Sequence, residues 1–275
     1  MRPEGLKLIR KEIFPTIFCS GCGGGTVLNA FIEAVLNTGI KQEEMVMVTG
    51  IGCSSWIPSP YFKADTLHTT HGRAIAFATG VKVMKPDMKV VVIAGDGDVA
   101  GIGGNHLIHA ARRNINLTVF MVNNYIYGMT GGQVSPTTPF GSRTTTTPYS
   151  NVEYPMKAAE LVAAAGASFS ARWTTYNIVQ LIKGMQKALT KKGFSFIEII
   201  SQCPVGFGKN VGMRTAIDFL KYFKSQTVPI KKAQKMKPDE IEDKIVIGTL
   251  VDRDRREFTD NLLDLNERRM KELGL

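Results

Sequence analysis

A continuous apolar run at residues 90–94, ending in Gly95-Asp96-Gly97, constrains the fold of this chain more than any other feature. Unbroken rather than alternating hydrophobicity is typical of a parallel strand that is buried on both faces. A helix-like run follows at 106–113, and the next apolar run, 117–122, ends in Asn123-Asn124. This order predicts a strand-helix-strand unit, which places Asp96 and Asn124 at neighbouring strand ends on one edge of a sheet.

Similar apolar runs recur along the chain, with helical patterns between them. They lie at residues 45–49, 89–94, 117–122, 167–172 and 195–200. Strands that alternate with helices predict an α/β fold built on a doubly wound, mostly parallel sheet. The chain has 275 residues, of which 44% are hydrophobic and 27 are glycine, so a sizeable core with many glycine turns is possible. We expect one domain, residues 1–205, to carry the functional loops.

The sequence changes character after residue 205. The patterns there predict an amphipathic helix at 215–224, a basic linker at 231–237, a strand at 244–251 and an amphipathic tail helix at 255–275. The tail helix suits docking either on this chain or on a neighbour. We expect residues 206–275 to form a C-terminal extension that contacts a partner subunit.

The acidic residue between two glycines indicates a cation site. A hard divalent cation at this edge would take oxygen ligands from Asp96, from the amide of Asn124 and from a following backbone carbonyl, and a diphosphate and water would complete an octahedron. The flanking glycines let a diphosphate approach the backbone, and helix amino termini favour its negative charge.

Four cysteines, the only ones in the chain, form a second constellation. Cys19 and Cys22 lie across a tight turn, whereas Cys53 and Cys203 each follow an apolar run. Three loops that deliver four thiolates suit either a zinc ion or a four-iron four-sulfur cluster. A thioredoxin-like redox pair and four unrelated buried thiols are the other interpretations.

In combination, these motifs resemble one known family. A GDG sequence followed about thirty residues later by NN is similar to the thiamine diphosphate fingerprint, and with the cysteines the chain resembles the β subunit of 2-oxoacid:ferredoxin oxidoreductases. The resemblance runs from about residue 18 to 206. It includes the segments Gly50-Ile51-Gly52-Cys53-Ser54-Ser55, Leu67-His68-Thr69-Thr70-His71-Gly72-Arg73, Gly95-Asp96-Gly97-Asp98, the run 124–137, and Gln202-Cys203-Pro204.

The resemblance implies roles for particular residues. It makes the four cysteines ligands of a four-iron four-sulfur cluster, and it assigns magnesium to Asp96, Asn124 and the carbonyl of Ile126. His71 and Arg73 are the implied catalytic residues. The positions implied to bind thiamine diphosphate are Ile51, Gly52, Cys53, Ser54, His71, Gly95, Gly97, Asp98, Gly128 and Met129.

The activity that the resemblance implies is oxidative decarboxylation of a 2-oxoacid to acyl-CoA, carbon dioxide and reduced ferredoxin, or the reverse reaction. Its implied partners are an α subunit, with further γ or δ subunits in some assemblies, together with ferredoxin, coenzyme A and the 2-oxoacid. Thiamine enzymes also need a carboxylate that protonates the aminopyrimidine ring. Since this chain resembles only the diphosphate-binding half, we expect activity only with a partner subunit.

Two departures from the family pattern bear on the cluster and on the substrate. Phe18 and Ser20 stand where relatives often have Trp and Pro, but both thiols of the motif are kept. Trp56 stands where many relatives have Arg or Lys, and an indole cannot pair with a second substrate carboxylate. The stretch 68–73 most resembles the forms that act on 2-oxoglutarate, and either Arg73 or a partner residue would then bind the carboxylate of this substrate. Trp56 instead suits a bulky apolar or aromatic 2-oxoacid. A third interpretation is that Trp56 only packs in its loop.

Composition bears on nucleic-acid binding, on charged partners and on cellular location. The formal charge is +10 and the pI about 9.4, but the charges are dispersed without a basic-aromatic module, so we expect no nucleic-acid binding. Acidic ferredoxin and the phosphates of coenzyme A are better matched to this charge. No apolar run is long enough to span a membrane, and reduced thiols without a secretory signal predict the cytoplasm.

Two other functions compete with the oxidoreductase. A non-oxidative thiamine diphosphate decarboxylase would keep the magnesium site but would leave the four cysteines unexplained. A zinc-stabilised scaffold subunit would keep the cysteines, but intact Asp96 and Asn124 argue against it.

Overall fold

An eight-stranded sheet forms the centre of the protein. The computed structural model describes residues 2–274. The strands in these residues are β1 (Met45–Thr49), β2 (Asp65–His68), β3 (Lys89–Gly95), β4 (Thr118–Asn123), β5 (Ile126–Tyr127), β6 (Gln133–Val134), β7 (Phe169–Thr174), β8 (Ser195–Ile200), β9 (Thr227–Pro229) and β10 (Ile245–Asp252). The sheet has the order β2-β1-β3-β4-β8-β7-β10-β9, and β5 pairs with β6 in a separate hairpin.

The sheet is mostly parallel. The strands from β2 through β1, β3, β4 and β8 to β7 are all parallel to their neighbours. Only β10 runs antiparallel to its neighbour β7 within this sheet, with β9 parallel to β10. The predicted doubly wound α/β class is therefore confirmed.

Helices cover both faces of the sheet. They are α1 (Gly24–Thr38), α2 (Ala74–Met84), α3 (Gly104–Arg113), α4 (Ala158–Ala165), α5 (Ile178–Thr190), α6 (Lys209–Val211), α7 (Ala216–Gln226), α8 (Ile230–Ala233), α9 (Pro238–Ile241) and α10 (Phe258–Glu272). Helices α1 and α5 pack on one face, and α2, α3 and α4 pack on the other.

The burial of strand β4 explains why its central residues are all apolar. All six of its residues are buried. Phe120 and Val122 point into the core under α1 and α5, whereas Val119 and Met121 point into the opposite core under α2, α3 and α4. Because successive side chains of a strand face opposite sides, a strand covered on both faces needs apolar residues on both, as at the four central positions of β4.

The carboxyl ends of the parallel strands meet at one edge. Strands β1, β3, β4 and β8 lead into the loops that begin at residues 50, 96, 124 and 201. These loops carry both the polar motifs and two of the cysteines, so the parallel arrangement brings together segments that are far apart in the chain.

The segment 206–275 is built onto the same sheet. Strand β10 extends the sheet beyond β7, and Phe219 and Phe223 of α7 form a small core with Phe207 and Tyr125. The Glu257 carboxylate caps α10 by accepting from the backbone N–H groups of Thr259 and Asp260. The expected helices and the strand in this segment are present, although residue 275 lies outside the described residues. Docking of a partner by this segment stays a prediction.

Sequence patterns did not predict β2. Three of the four residues in Asp65–His68 are polar and none is fully buried, because β2 is an edge strand of the sheet. The segment between β6 and α4 lacks regular structure, as expected for 135–154. Within residues 2–274 there is no helix with the length and hydrophobicity to cross a membrane.

The packing of β4 gives a test of the fold. The fully buried ring of Phe120 lies 5.9 Å from that of Phe31. We expect Phe120→Ala to lower the free energy of unfolding by about 3–5 kcal/mol, because it removes an aromatic side chain and leaves a cavity. Phe140→Ala, at a ring that is 55% exposed, should change it by no more than about 0.5 kcal/mol. Urea denaturation measures both, and equal losses would contradict this packing.

Candidate active site

A cavity opens at the carboxyl edge of the sheet. The loops after β1, β3 and β4 form most of its wall, and the loop before α2 adds a histidine. Its lining residues are Ile51, Gly52, Cys53, Ser54, His71, Gly95, Asp96, Gly97, Asp98, Val122, Asn124, Ile126, Tyr127, Gly128, Met129 and Thr130. Every position that the resemblance assigned to thiamine diphosphate or magnesium is in this set, whereas Val122, Tyr127 and Thr130 are additions.

Three oxygen atoms converge on one side of this cavity. The Asn124 Oδ1 atom lies 3.2 Å from Asp96 Oδ1 and 2.8 Å from the carbonyl oxygen of Ile126. Neighbouring oxygen ligands of an octahedral magnesium ion are about 3.0 Å apart, since each lies 2.0–2.1 Å from the metal. Rotating the Asn124 amide would instead let its nitrogen donate to both oxygens. A bound cation accounts for the convergence without that rotation, so the donor set fits magnesium.

Asp96 is held by two hydroxyl groups that the sequence motifs did not single out. The hydroxyls of Ser135 and Thr137 each lie 2.6 Å from Asp96 Oδ2 and donate to it. Burial raises the pKa of Asp96 to about 6, and these two hydrogen bonds oppose the rise. Since both hydroxyls approach Oδ2, the other carboxylate oxygen is left to face Asn124 and Ile126. The sequence signal that could have identified these hydroxyls is the Ser-x-Thr that directly follows the β5-β6 hairpin.

Two glycines at the site have no room for a side chain. A Cβ atom at Gly97 would overlap the ring of Tyr127, whose hydroxyl donates to the Gly97 carbonyl at 3.1 Å. A Cβ at Gly50 would overlap the Asp98 carboxylate. Both glycines therefore let neighbouring loops approach more closely than any other residue would allow.

His71 and Asp98 form a polar pair on the cavity wall. The His71 Nδ1 atom lies 2.7 Å from Asp98 Oδ1, which also accepts from the Gly72 N–H at 2.5 Å. Burial raises the pKa of the Asp98 carboxyl, and the Gly72 N–H and His71 oppose that rise. One nitrogen of the imidazole therefore faces Asp98, and the other is available to a group bound in the cavity.

The four cysteines come from three loops to one region beside the cavity. The Cys22 N–H donates to the Cys19 carbonyl, which forms the tight turn, and the Gly23 N–H donates to the carbonyl of Gln202 next to Cys203. A Cβ placed on Gly128 would lie 3.7 Å from the sulfur of Cys203 and 3.9 Å from that of Cys53. The cavity wall thus touches two of the four sulfurs.

The thiols influence one another electrostatically. Burial raises the pKa of Cys22 to about 11, and the three other cysteines raise it further. Burial and neighbouring cysteines also raise the pKa values of Cys53 and Cys203. In residues 2–274, no three His, Cys, Asp or Glu side chains are grouped closely enough to hold one metal ion. The four thiols are nevertheless close enough to influence one another.

Trp56 and Arg73, the candidates for substrate contact, do not line the cavity. Trp56 packs against the core beneath α1, which agrees with the loop-packing interpretation. Arg73 is exposed, and its guanidinium donates to the carbonyl of Gly72. Neither residue lines the region where the oxygens of Asp96, Asn124 and Ile126 converge.

Comparison with known sequences defines the class of this site. Residues 50–199 match the family described as "Thiamine pyrophosphate enzyme, C-terminal TPP binding domain". This segment includes β1, the GDG turn, β4 and β8, and therefore most of the cavity wall. The chain contains the thiamine diphosphate-binding domain of this enzyme class.

Full-length relatives narrow the class further. The chain is 50% identical over 263 residues to 2-oxoglutarate synthase subunit KorB of Methanocaldococcus jannaschii, covering 96% of this chain and 97% of the relative. It is 52% identical over 260 residues to the KorB subunit of Methanothermobacter thermautotrophicus, covering 94% and 91%. The solved 2-oxoglutarate:ferredoxin oxidoreductase of Magnetococcus marinus matches with a TM-score of 0.85 and 32% identity, covering 96% and 90%. This chain belongs to the family of 2-oxoacid:ferredoxin oxidoreductase β subunits, and the predicted enzyme class is confirmed.

The cysteine turn offers a test with a matched control. A Cβ at Gly23 would overlap the Ser201 hydroxyl, whereas a Cβ at Gly25, two residues later, meets nothing within 4 Å. We expect Gly23→Ala to push the Cys19–Cys22 turn away from Cys203 and to reduce bound iron at least severalfold. Gly25→Ala should retain the wild-type iron content. Iron analysis of the two anaerobically purified variants measures the difference, and equal iron contents would refute the contact.

Proposed function

We propose that this subunit binds thiamine diphosphate, magnesium and a four-iron four-sulfur cluster, and that it oxidatively decarboxylates 2-oxoglutarate. In the proposed reaction a 2-oxoacid and coenzyme A give acyl-CoA and carbon dioxide, and two electrons pass singly to two ferredoxins. The observation that carries the proposal is the position of Cys53. It lines the cavity, and it is also one of the four neighbouring thiols.

The chain's own residues divide the work of holding the cofactor. Asp96, Asn124 and the Ile126 carbonyl would bind magnesium, which would hold the diphosphate of the cofactor. When bound, thiamine diphosphate supplies the electron sink that lets carbon dioxide leave a 2-oxoacid. His71, which contacts Asp98, would donate a hydrogen bond to a substrate oxygen.

Proximity supports the electron-transfer step. Gly128 separates the cavity from the sulfurs of Cys53 and Cys203 and has no side chain. A cluster on these thiolates would begin at the cavity wall, so an electron would leave the site without crossing a protein layer. The non-oxidative decarboxylase offers no role for this arrangement.

The proposed substrate rests on the relatives. Two of the most similar are named 2-oxoglutarate synthase subunits, and the solved relative is described with 2-oxoglutarate, coenzyme A and succinyl-CoA bound. In the part of the chain that the structure describes, no Lys or Arg lines the cavity. The second carboxylate of 2-oxoglutarate would therefore need a cation from a partner subunit. A bulky apolar or aromatic 2-oxoacid, which needs no such cation, stays the alternative.

The assembly is part of the proposal. We infer an α subunit that supplies the aminopyrimidine-protonating carboxylate and completes the substrate pocket, with γ or δ subunits in some assemblies. Ferredoxin would accept the electrons, and the basic charge of this chain, +10, would favour an acidic partner. Reduced thiols as cluster ligands suit the cytoplasm.

Metal and sulfide analysis, with electron paramagnetic resonance after dithionite reduction, tests the cofactor set on anaerobically purified protein. We expect about four irons and four sulfides per chain and a reduced-cluster signal. Stoichiometric zinc without iron would contradict the electron-transfer function. The assembled enzyme should then reduce ferredoxin with 2-oxoglutarate faster than with an arylpyruvate, and the β subunit alone should turn over neither.

A cysteine substitution separates the cluster from the cofactor site. Cys203→Ser removes one thiolate but leaves the three magnesium-facing oxygens in place. We expect ferredoxin reduction to fall to background while thiamine diphosphate still binds, as equilibrium dialysis can measure. Ser20→Ala, in the neighbouring cysteine turn, should retain ferredoxin reduction. Full ferredoxin reduction by the Cys203 variant would exclude a cluster ligated by this residue.

A further inference from the structure

A buried chain of polar side chains leads away from the metal-facing oxygens. It runs from Asp96 through Thr137, Asn123 and Glu198 to Arg172, and all five residues are at most 8% exposed. The links measure 2.6 Å for Thr137 to Asp96, 2.9 Å for Thr137 to Asn123, 2.7 Å for Asn123 to Glu198 and 2.8 Å for Arg172 to Glu198. It crosses strands β3, β4, β8 and β7 near their carboxyl ends.

Arg172 and Glu198 are paired in a way that fixes the carboxylate. The Arg172 Nε atom donates to Glu198 Oε2, and its two terminal nitrogens donate to Glu160 at 2.7 and 2.5 Å. Burial disfavours the charge of Arg172, but Glu198 and Glu160 outweigh this effect and raise its pKa. With Oε2 occupied by Arg172, the Oε1 atom of Glu198 is turned toward Asn123.

The carboxylate in turn sets the orientation of the Asn123 amide. Glu198 Oε1 accepts from Asn123 Nδ2. An ionised carboxylate is only an acceptor, so it admits the amide nitrogen and rejects the amide oxygen. The Asn123 Oδ1 atom must then point the other way, toward the loop that follows β4.

The Asn123 Oδ1 atom has hydrogen-bond partners on both sides of the metal-facing oxygens: the turn that carries Ile126, and the Thr137 hydroxyl that binds Asp96. It accepts from the Tyr125 N–H at 3.1 Å, and the Thr137 hydroxyl lies 2.9 Å from it. Tyr125 has a φ of +68°, a left-handed conformation that costs free energy in a residue with a side chain. The hydrogen bond supports this turn, which aims the Ile126 carbonyl at Asn124. The Thr137 hydroxyl has one proton to share between two acceptors, Asn123 and Asp96, so it links the amide to the third metal-facing residue.

We propose that Arg172, Glu198 and Asn123 are positioning residues for the metal site, with the ion pair orienting the amide that holds both the Asn124–Ile126 turn and Asp96. This inference rests on the proposed magnesium and thiamine diphosphate site. Stability alone is a poor reason for the pair, since replacing a buried ion pair with apolar residues is often neutral for folding. The pair touches neither the cavity nor the metal-facing atoms.

The test uses the assembled enzyme, stripped of its metal, with Mn²⁺ as a spectroscopic probe at saturating thiamine diphosphate. Free and bound Mn²⁺ are separated by electron paramagnetic resonance. We expect the double variant Arg172→Met/Glu198→Met, which removes both charges of this pair, to weaken Mn²⁺ binding about 10–100-fold. The control Arg2→Met/Glu33→Met removes an ion pair of 2.7 Å at the surface and should bind Mn²⁺ like wild type.

The outcomes separate this inference from the proposed function. If wild type binds no Mn²⁺ with thiamine diphosphate, the proposed metal site fails. If wild type binds but the double variant binds equally well with an unchanged melting temperature, the positioning role is overturned. Should the double variant fail to assemble, Asn123→Ala decides, because it keeps the ion pair. A 10–100-fold loss with wild-type iron content supports the proposal, and unchanged affinity overturns it.

Discussion

A carboxylate buried at the carboxyl edge of a parallel sheet is the constraint on which the rest of this structure depends. Asp96 is 2% exposed, so its negative charge must be met by hydrogen-bond donors or a cation. Ser135 and Thr137 supply two donors to one oxygen, and the other oxygen faces Asn124. The carbonyl of Ile126 faces the same Asn124 oxygen, so the three oxygens form a donor set that fits magnesium.

The parallel topology extends the same logic to redox chemistry. Because β1, β3, β4 and β8 all end at this edge, the loops with Cys53 and Cys203 lie beside the loops with the metal-facing oxygens. The two sites are close: Gly128 lines the cavity next to two of the sulfurs, and it places no side chain between them. Membership in the 2-oxoacid:ferredoxin oxidoreductase family gives this adjacency its meaning, since that chemistry removes electrons one at a time.

Much of this could be predicted from sequence because the relevant signals are local. Apolar runs predicted five strands within about two residues, and each polar motif directly follows such a run. Strand β2 was not predicted because it is only partly buried, so its four residues are mostly polar and too few to show a hydrophobic pattern. Trp56 was ambiguous for a related reason. Its neighbours identify the loop, but only the packed structure shows that the indole packs against the core and does not line the cavity.

The sequence by itself determined which elements form and which residues end each strand, since hydrophobic periodicity and glycine act over a few positions. It therefore determined Asp96, Asn124 and the four thiols as candidates. Only the tertiary structure decided that Asn123 meets Glu198, 75 positions away, and that Glu198 meets Arg172. Such partners follow from strand order and register, because a buried polar group must find whichever donor or acceptor the neighbouring strand presents.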